Sequence, residues 1–394
     1  MIAIMAFSAA RRDFLFSERK DDMREYITDI DKLLSELGKR PVSADRLVSR
    51  NASADTVRLF EYLKSVYGKK FISGQQYLQR EELEDEVYFA ETGDLPAIRG
   101  YDLMDMDKER GDDQVNRAIK WATDTGCIIT MCWHWYAPDD MDDTEHCDWS
   151  FYYKTTSYDR KTSFDLLKAV EYGTPEYEFA VLRIDKAAAA LREFEKAGVP
   201  VLFRPLHEAN GDWFWWGRRK NAPAETAAAY KKLWYMIFDR IENFHGLSNI
   251  IWVWNGQDKE MQVHPNTFDI AGDDIYSERD DDHGAQKERF ELMKEMSRGK
   301  LVTLSECGYI PAPEEMRKNG VNWLWWLPWW GSFTIQYGEN NRPSLDESGK
   351  PRKTEKYMRG SFLKDTFADC DVVTLSKLPF FKGKDTLPET LRKQ

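Results

Sequence analysis

The chain has 394 residues, 42% of them hydrophobic and 31% charged, which suits one large α/β barrel with insertions or two smaller domains. Its net charge of −12 would repel a phosphate backbone, so the composition argues against a nucleic-acid partner. No apolar run in the sequence is long enough to cross a membrane, so a membrane partner is not expected either.

Residues 1–54 are charged and irregular, and they predict an N-terminal extension with helical spacing only around 21–37. From residue 55, short apolar runs alternate with longer amphipathic stretches to about residue 335. The apolar runs predict strands at 70–75, 95–101, 127–134, 200–207, 249–254, 268–275, 301–306 and 323–328. The amphipathic stretches predict helices at 55–67, 112–125, 178–196, 224–244, 288–298 and 313–319. We therefore expect one main domain over residues 55–362 and a tail, 363–394, that packs back on it.

This alternation predicts a closed (β/α)8 barrel of parallel strands. An open doubly wound sheet is the alternative, but it usually carries a Gly-rich phosphate loop after its first strand, and Ser73-Gly74-Gln75 is not one. In a barrel, the chemistry lies at the C-terminal face of the strands. The polar and aromatic residues at those strand ends are Asp102, His134, His207, Glu208, Asp274, Tyr276, Glu306 and Trp329.

Two carboxyl groups stand out because each directly follows an apolar strand, where an unpaired charge is costly. Glu208 follows the fourth predicted strand and Glu306 ends the seventh, so both can face one cleft across the barrel mouth. A glycosidase needs this arrangement, with an acid on one side of the glycosidic oxygen and a nucleophile or base on the other. The alternative is that the two residues form structural ion pairs with Arg204 and Arg99.

Aromatic residues are abundant, and the fifteen Trp residues either line clefts or enrich the core. The segment 211–217 (GDWFWWG) and the Trp-rich run 323–330 predict a platform on which sugar rings stack; a surface for a partner protein is the alternative. Cys127 and Cys132 fall on a predicted strand and are expected to be buried thiols, although one disulfide among the five Cys stays open.

The histidines leave a second alternative open. His134, His207 and Glu306 could converge on zinc in a metallohydrolase, but the sequence lacks the HxH or HExxH spacing of such sites. Neither a serine nucleophile motif nor a phosphate-binding loop is present, so esterase and nucleotide chemistry lack support.

The stretch 204–217 (RPLHEANGDWFWWG) resembles the signature of glycoside hydrolase family 26. The resemblance extends over about residues 55–340 and includes 133–135 (WHW), 274–276 (DIY) and 304–306 (LSE). It implies a (β/α)8 barrel with endo-β-1,4-mannanase activity and no metal or organic cofactor.

Carried over to matching positions, the resemblance implies that Glu208 is the general acid/base and Glu306 the nucleophile. It also implies that His207 assists the acid/base and that Tyr276, preceded by Asp274, hydrogen-bonds the nucleophile. The residues implied to hold the sugar are His134, Trp213, Trp329 after the eighth strand and Trp149 in the long third loop.

The implied reaction is a retaining double displacement on mannan, galactomannan or glucomannan. A mixed-linkage β-glucanase, a β-1,3-xylanase and a catalytically inactive glycan-binding barrel are the alternatives. A polymeric substrate predicts a secreted, periplasmic or cell-surface protein, although Arg11 and Arg12 follow the apolar residues 1–10, the wrong order for a signal peptide.

Overall fold

The computed structural model describes residues 26–106 and 113–392, and a ring of eight parallel strands forms its centre. The strands are β1 (Phe71–Gln76), β2 (Ile98–Asp102), β3 (Ile128–Trp133), β4 (Val201–Pro205), β5 (Ile250–Trp254), β6 (Ile270–Ile275), β7 (Leu301–Cys307) and β8 (Trp325–Trp326). Each pairs with its sequence neighbour, and β1 pairs with β8. Hydrogen bonds from Leu324 N–H to Val302 O (2.8 Å) and from Cys307 N–H to Leu327 O (2.9 Å) join β7 to β8. The predicted (β/α)8 barrel is confirmed.

Helices surround this ring. They are α1 (Ile30–Gly38), α2 (Ala54–Val66), α3 (Glu84–Thr92), α4 (Gln114–Thr125), α5 (Leu166–Ala169), α6 (Pro175–Lys196), α7 (Pro223–Asp239), α8 (Lys287–Met296), α9 (Pro313–Asn319), α10 (Phe362–Ala368) and α11 (Glu389–Arg392). A π-helical turn, Arg240–Phe244, continues α7. Between β5 and β6 the chain makes two 3-10 turns, Lys259–Met261 and Pro265–Thr267, in place of a helix.

Local sequence explains how the crossover helices begin. The Thr174 hydroxyl accepts a hydrogen bond from the Tyr177 N–H (3.1 Å), and Pro175 occupies the first position of α6, where a missing N–H costs nothing. The inner face of α6 buries Ile184, Ala187 and Leu191. Capping therefore fixes where the helix starts, and its apolar face fixes how it lies on the barrel.

The first and last described segments of the chain pack against the barrel. Of the predicted helix at 21–37, residues 21–25 lie outside the described residues, and the observed helix begins at Ile30. Near the other end, Val372–Val373 pairs in parallel with β1. The Ser73 hydroxyl donates to Val373 O (2.8 Å), so the tail completes the N-terminal edge of β1.

Most of the Trp residues belong to the core and not to a cleft. Ten of the fifteen are fully buried: Trp133, Trp135, Trp215, Trp216, Trp234, Trp252, Trp254, Trp323, Trp325 and Trp326. The expectation that 323–330 forms a sugar platform is therefore wrong for its first three Trp residues. All five Cys lie in the described part of the chain and are free thiols. Within residues 26–106 and 113–392, no helix combines the length and apolar character needed to cross a membrane.

Candidate active site

Three carboxyl groups meet at the C-terminal mouth of the barrel. Oxygens of Glu208, Asp274 and Glu306 all lie within 4.8 Å of one another. Arg204, buried on β4, donates to Asp274 Oδ2 (2.9 Å) and also to Glu306 Oε1. The structure thus brings the two sequence-predicted carboxyl groups together, closer than the roughly 6.5–9.5 Å separation of inverting glycosidases.

The observed contacts fit only in part the alternative that Glu208 and Glu306 form structural ion pairs. Arg204 does pair with Glu306, as that alternative requires. Arg99 points elsewhere, because its guanidinium pairs with Glu82 (2.7 Å) and with Asp85. No cation therefore neutralises Glu208 in the way that Arg204 neutralises Glu306 among the described contacts.

Glu208 has the environment of a general acid. Burial raises the pKa of Glu208 well above its usual range, and the negative charges of Glu306 and Asp274 raise it further. One hydrogen bond opposes this trend: the Trp213 indole N–H donates to Glu208 Oε2 (2.7 Å), which favours the ionised form. Glu208 therefore carries a proton at a pH where an exposed Glu would have lost it.

Glu306 accepts a hydrogen bond on each of its two carboxylate oxygens. Its Oε1 accepts from Arg204, and its Oε2 accepts from the Tyr276 hydroxyl (2.7 Å). Burial of that hydroxyl, together with the charge of Glu306, raises the pKa of Tyr276 well above its usual value, so the phenol stays a donor. Two donors, one on each oxygen, therefore hold this carboxylate in place beside Glu208.

A β-bulge shapes the edge where β6 meets β7. The pairing runs from Asp273 with Leu304 to Asp274 with Glu306, so Ser305 is the extra residue. Asp273 faces outward and binds Arg289 of α8 (2.6 Å), whereas Asp274 faces the cleft and accepts from the Ser305 hydroxyl (2.8 Å). The bulge therefore places Ser305 beside the carboxyl cluster.

The carboxyl cluster contains more carboxyl groups than cationic groups. Burial raises the pKa of Asp274 to about 8, with Arg204 lowering it and Glu306 raising it. Two of the three carboxyl groups, Asp274 and Glu306, share the single guanidinium of Arg204, and Glu208 pairs with no cation among the described contacts. A cluster with this balance retains a proton near neutral pH, and the titration belongs to the group as a whole.

Two histidines lie near Glu208. His134 Nδ1 lies 2.5 Å from Asp102 Oδ2, which orients its other nitrogen away from β2. The rings of His134 and His207 meet edge to face at 4.5 Å. Burial, and the charges of His134 and Arg204, hold the pKa of His207 well below its usual value, so His207 is neutral. The zinc alternative would need Glu306 as a third ligand, but both of its oxygens already accept hydrogen bonds.

The aromatic residues predicted to bind sugar fall in different places. Trp213 lies against Glu208 and is half-buried, and its position depends on Gly211, where a Cβ would lie 2.2 Å from the indole ring. The half-buried Trp329 lies 5.7 Å from His134, ring centre to ring centre. Trp149 packs instead on Phe179 of α6 (5.4 Å), and the structure does not bring it beside the two Glu residues.

The sequence analysis missed several residues of this site. Asn255 directly follows β5, and its carboxamide reaches both Glu208 N–H and Asp274 Oδ1 at 3.0 Å. Its position at a strand end was a usable signal. Ser305 carried no such signal, because a bulge leaves no mark on the apolar pattern of β7. Tyr152 in the loop after β3 also lies near the site, because the charge of Glu208 adds to burial and to Tyr158 in raising the pKa of Tyr152.

An eight-stranded parallel barrel with two opposed carboxyl groups at its C-terminal mouth is the arrangement of the barrel glycoside hydrolases. The sequence model of glycosyl hydrolase family 26 matches residues 48–347, and the chain belongs to that family. The resemblance seen in the sequence is thereby confirmed.

Individual relatives agree with this assignment. The chain is 34% identical over 303 residues to a mannan endo-1,4-beta-mannosidase of Thermothelomyces thermophilus, covering 75% of this chain and 59% of that protein. It is 30% identical to mannan endo-1,4-beta-mannosidase A of Piromyces sp., covering 85% and 51%. Thus it spans between half and three-fifths of the length of these relatives. A solved β-mannanase from a symbiotic protist of the termite Reticulitermes speratus, complexed with gluco-manno-oligosaccharide, superposes with a TM-score of 0.71 at 30% identity, covering 86% and 98%.

Proposed function

We propose that this protein is a retaining endo-β-1,4-mannanase that cleaves mannan, galactomannan or glucomannan. The observation that carries the proposal is the contrast between the two carboxyl groups. Glu208 is half-buried without a cation of its own, whereas Glu306 accepts hydrogen bonds from Arg204 and Tyr276. One group is thus set up as an acid and the other as an anion, which is the division of roles that a retaining glycosidase requires.

In the first step, Glu306 attacks the anomeric carbon while Glu208 gives its proton to the departing glycosidic oxygen, and a glycosyl-enzyme forms. In the second step, Glu208, now ionised, takes a proton from a water molecule that attacks the same carbon and releases Glu306. The proton returns to Glu208, so the cycle closes. The high pKa of Glu208 serves both steps, because it makes Glu208 an acid first and an effective base afterwards.

Mannan is the proposed polymer because two curated relatives are named mannan endo-1,4-beta-mannosidases and a third relative was solved with a gluco-manno-oligosaccharide. We place His134, His207, Trp213 and Trp329 around the sugar next to the cleavage point. A polymer of this size stays outside the cell, so we propose a secreted, periplasmic or surface location.

The test is reducing-sugar release from galactomannan and glucomannan, with mixed-linkage β-glucan and β-1,3-xylan in parallel. We expect release from the mannans, with products of several sizes from the start, and loss of this activity in Glu306→Ala. The anomer first formed, followed by proton NMR, should keep the β configuration.

Other outcomes would overturn parts of the proposal. Release only from β-glucan or β-1,3-xylan would contradict the substrate, and an inverted product would contradict the mechanism. Binding of mannan without release would favour an inactive glycan-binding barrel. Loss of activity after exhaustive chelation, restored by zinc, would favour the metallohydrolase alternative.

A further inference from the structure

Asn255 is the most heavily hydrogen-bonded side chain at the barrel mouth. Its Oδ1 accepts from the backbone N–H of Glu208 (3.0 Å) and from Gln257 Nε2 (3.0 Å). Its Nδ2 donates to Asp274 Oδ1 (3.0 Å) and to the Ser305 hydroxyl (2.5 Å). A carboxamide has two lone pairs and two N–H groups, so the hydrogen-bonding capacity of this fully buried residue is filled by the protein itself. Asn255 therefore has nothing left with which to bind a substrate.

The backbone that carries the acid/base needs such support. Leu206 and Glu208 have φ angles of 53° and 52°, in the left-handed region that costs a residue with a side chain about 1–2 kcal/mol. The ladder between β4 and β5 ends at Phe203 and Trp252, so no strand partner reaches the Glu208 N–H. The side chain of Asn255 takes the place of that partner and ties the turn after β4 to the end of β5.

A glycine keeps space for this contact. A Cβ on Gly272 of β6 would lie 2.5 Å from the Ser305 hydroxyl and 3.1 Å from Asn255 Nδ2. The φ of Gly272 is not in the left-handed region, so its small size is the property that matters. Gly272 and the bulge at Ser305 together allow the carboxamide to reach Asp274, which shares Arg204 with Glu306.

We propose that Asn255 is a positioning residue, which holds the Glu208 backbone so that the acid stays in register with the nucleophile. The proposal rests on the acid/base role proposed for Glu208. Because Asn255 joins the Glu208 N–H to the Asp274–Arg204–Glu306 chain of contacts, one side chain sets the relation between acid and nucleophile. Its loss would weaken protonation of the leaving group and leave attack by Glu306 intact.

The experiment compares two substrates that differ in the need for an acid. Mannotetraose has a poor leaving group and needs protonation, whereas 2,4-dinitrophenyl β-mannobioside has a leaving group that departs without it. A well-placed general acid contributes about 10²–10⁴-fold. We expect Asn255→Ala to lower kcat/KM for mannotetraose by about 10²-fold while kcat/KM for the aryl substrate changes less than about 3-fold. The ratio kcat/KM is used because it reports the first chemical step, before Glu208 acts as a base.

Two further variants separate positioning from folding. Asn249→Ala is the matched control, because Asn249 is a buried Asn just before β5 whose Nδ2 donates to Leu191 O (3.2 Å) and Val199 O (3.3 Å), far from the mouth. It should lower Tm and leave the ratio between the two substrates unchanged. Gly272→Ala removes no polar group but crowds the Asn255–Ser305 contact, so it should reproduce the selective loss even if Asn255→Ala fails to fold.

An equal fall on both substrates in Asn255→Ala and Gly272→Ala would show that Asn255 is only structural and would overturn the proposal. Unchanged kinetics in both variants would overturn it as well. If the wild-type protein cleaves neither substrate, it is the proposed function that fails, and this result is distinct from any pattern among the variants.

Discussion

Replacement of Trp213 by Phe should shift the alkaline limb of the pH–activity profile to higher pH. The Trp213 indole N–H donates to Glu208 Oε2 (2.7 Å) and thereby lowers the pKa of the acid, against burial and the neighbouring carboxylates, which raise it. Phe keeps an aromatic ring at this position but has no N–H. The ionised form of Glu208 alone loses a partner, so the pKa of Glu208 must rise in the variant.

The size of the shift follows from the type of bond. A hydrogen bond to a charged group contributes about 1.5–3 kcal/mol, and one pKa unit corresponds to about 1.4 kcal/mol. The limb should therefore move by about one unit, towards the lower end because Trp213 is only half-buried. Activity of a retaining glycosidase falls on the alkaline side as its acid loses the proton, so the variant should stay active at a higher pH than the wild type.

The assay is kcat/KM for mannotetraose over a range of pH at constant ionic strength. The maximal kcat/KM is expected to fall, because the smaller ring also loses contact with the sugar. The readout is therefore the pH at which kcat/KM declines on the alkaline side. Trp215→Phe is the matched control: the Trp215 N–H donates to Trp135 O (2.6 Å), and its loss should lower Tm without moving the limb. A limb that stays in place or moves to lower pH in Trp213→Phe would refute the reasoning.

Two further predictions concern residues away from the carboxyl cluster. Burial raises the pKa of Glu242 to about 7, although the hydrogen bond from the Trp252 indole N–H (2.6 Å) lowers it. The stability that the protonated form contributes is present below about pH 4.5 and is lost as the pH rises to about 7. Glu242→Gln should therefore become more stable than wild type by up to roughly 3 kcal/mol across that pH range, as measured by thermal unfolding. Trp149→Ala should lower the free energy of unfolding by about 2 kcal/mol through lost packing on Phe179, and it should leave kcat/KM on galactomannan unchanged. Lost activity at unchanged Tm would instead support the sugar-binding role first predicted for Trp149.

The strands and the two carboxyl groups at the barrel mouth were predictable because both follow strong rules. Each predicted strand ends within three residues of an observed strand end. Apolar runs of that length and number leave few alternatives to a barrel, and a barrel places its chemistry at one face. Glu208 and Glu306 could be identified from the sequence because an unpaired carboxylate directly after an apolar strand is energetically costly.

Helix α3 was missed because two of its four buried side chains, Glu84 and Asp85, are carboxyl groups. Glu84 is buried and accepts the Gly331 N–H (2.8 Å), while the neighbouring Asp85 is buried against Arg99. Periodicity of apolar residues cannot detect a helix whose inner face carries carboxyl groups. The same limit led to the opposite error at 323–326, since a buried indole in a short strand and an exposed one in a cleft look alike in a sequence.

During synthesis, β1 is made long before its partner segment Val372–Val373. Its Val373 O accepts from the Ser73 hydroxyl, a contact between residues 300 positions apart. At about 5–20 residues per second, β1 waits roughly 15–60 s on the ribosome before this partner exists. Through that time Phe71 and Ile72 of β1 lack this partner, so one edge of the strand is open to wrong partners. A shortened form ending at residue 362 would leave that edge open permanently, so we expect it to aggregate although every residue of the carboxyl cluster is present.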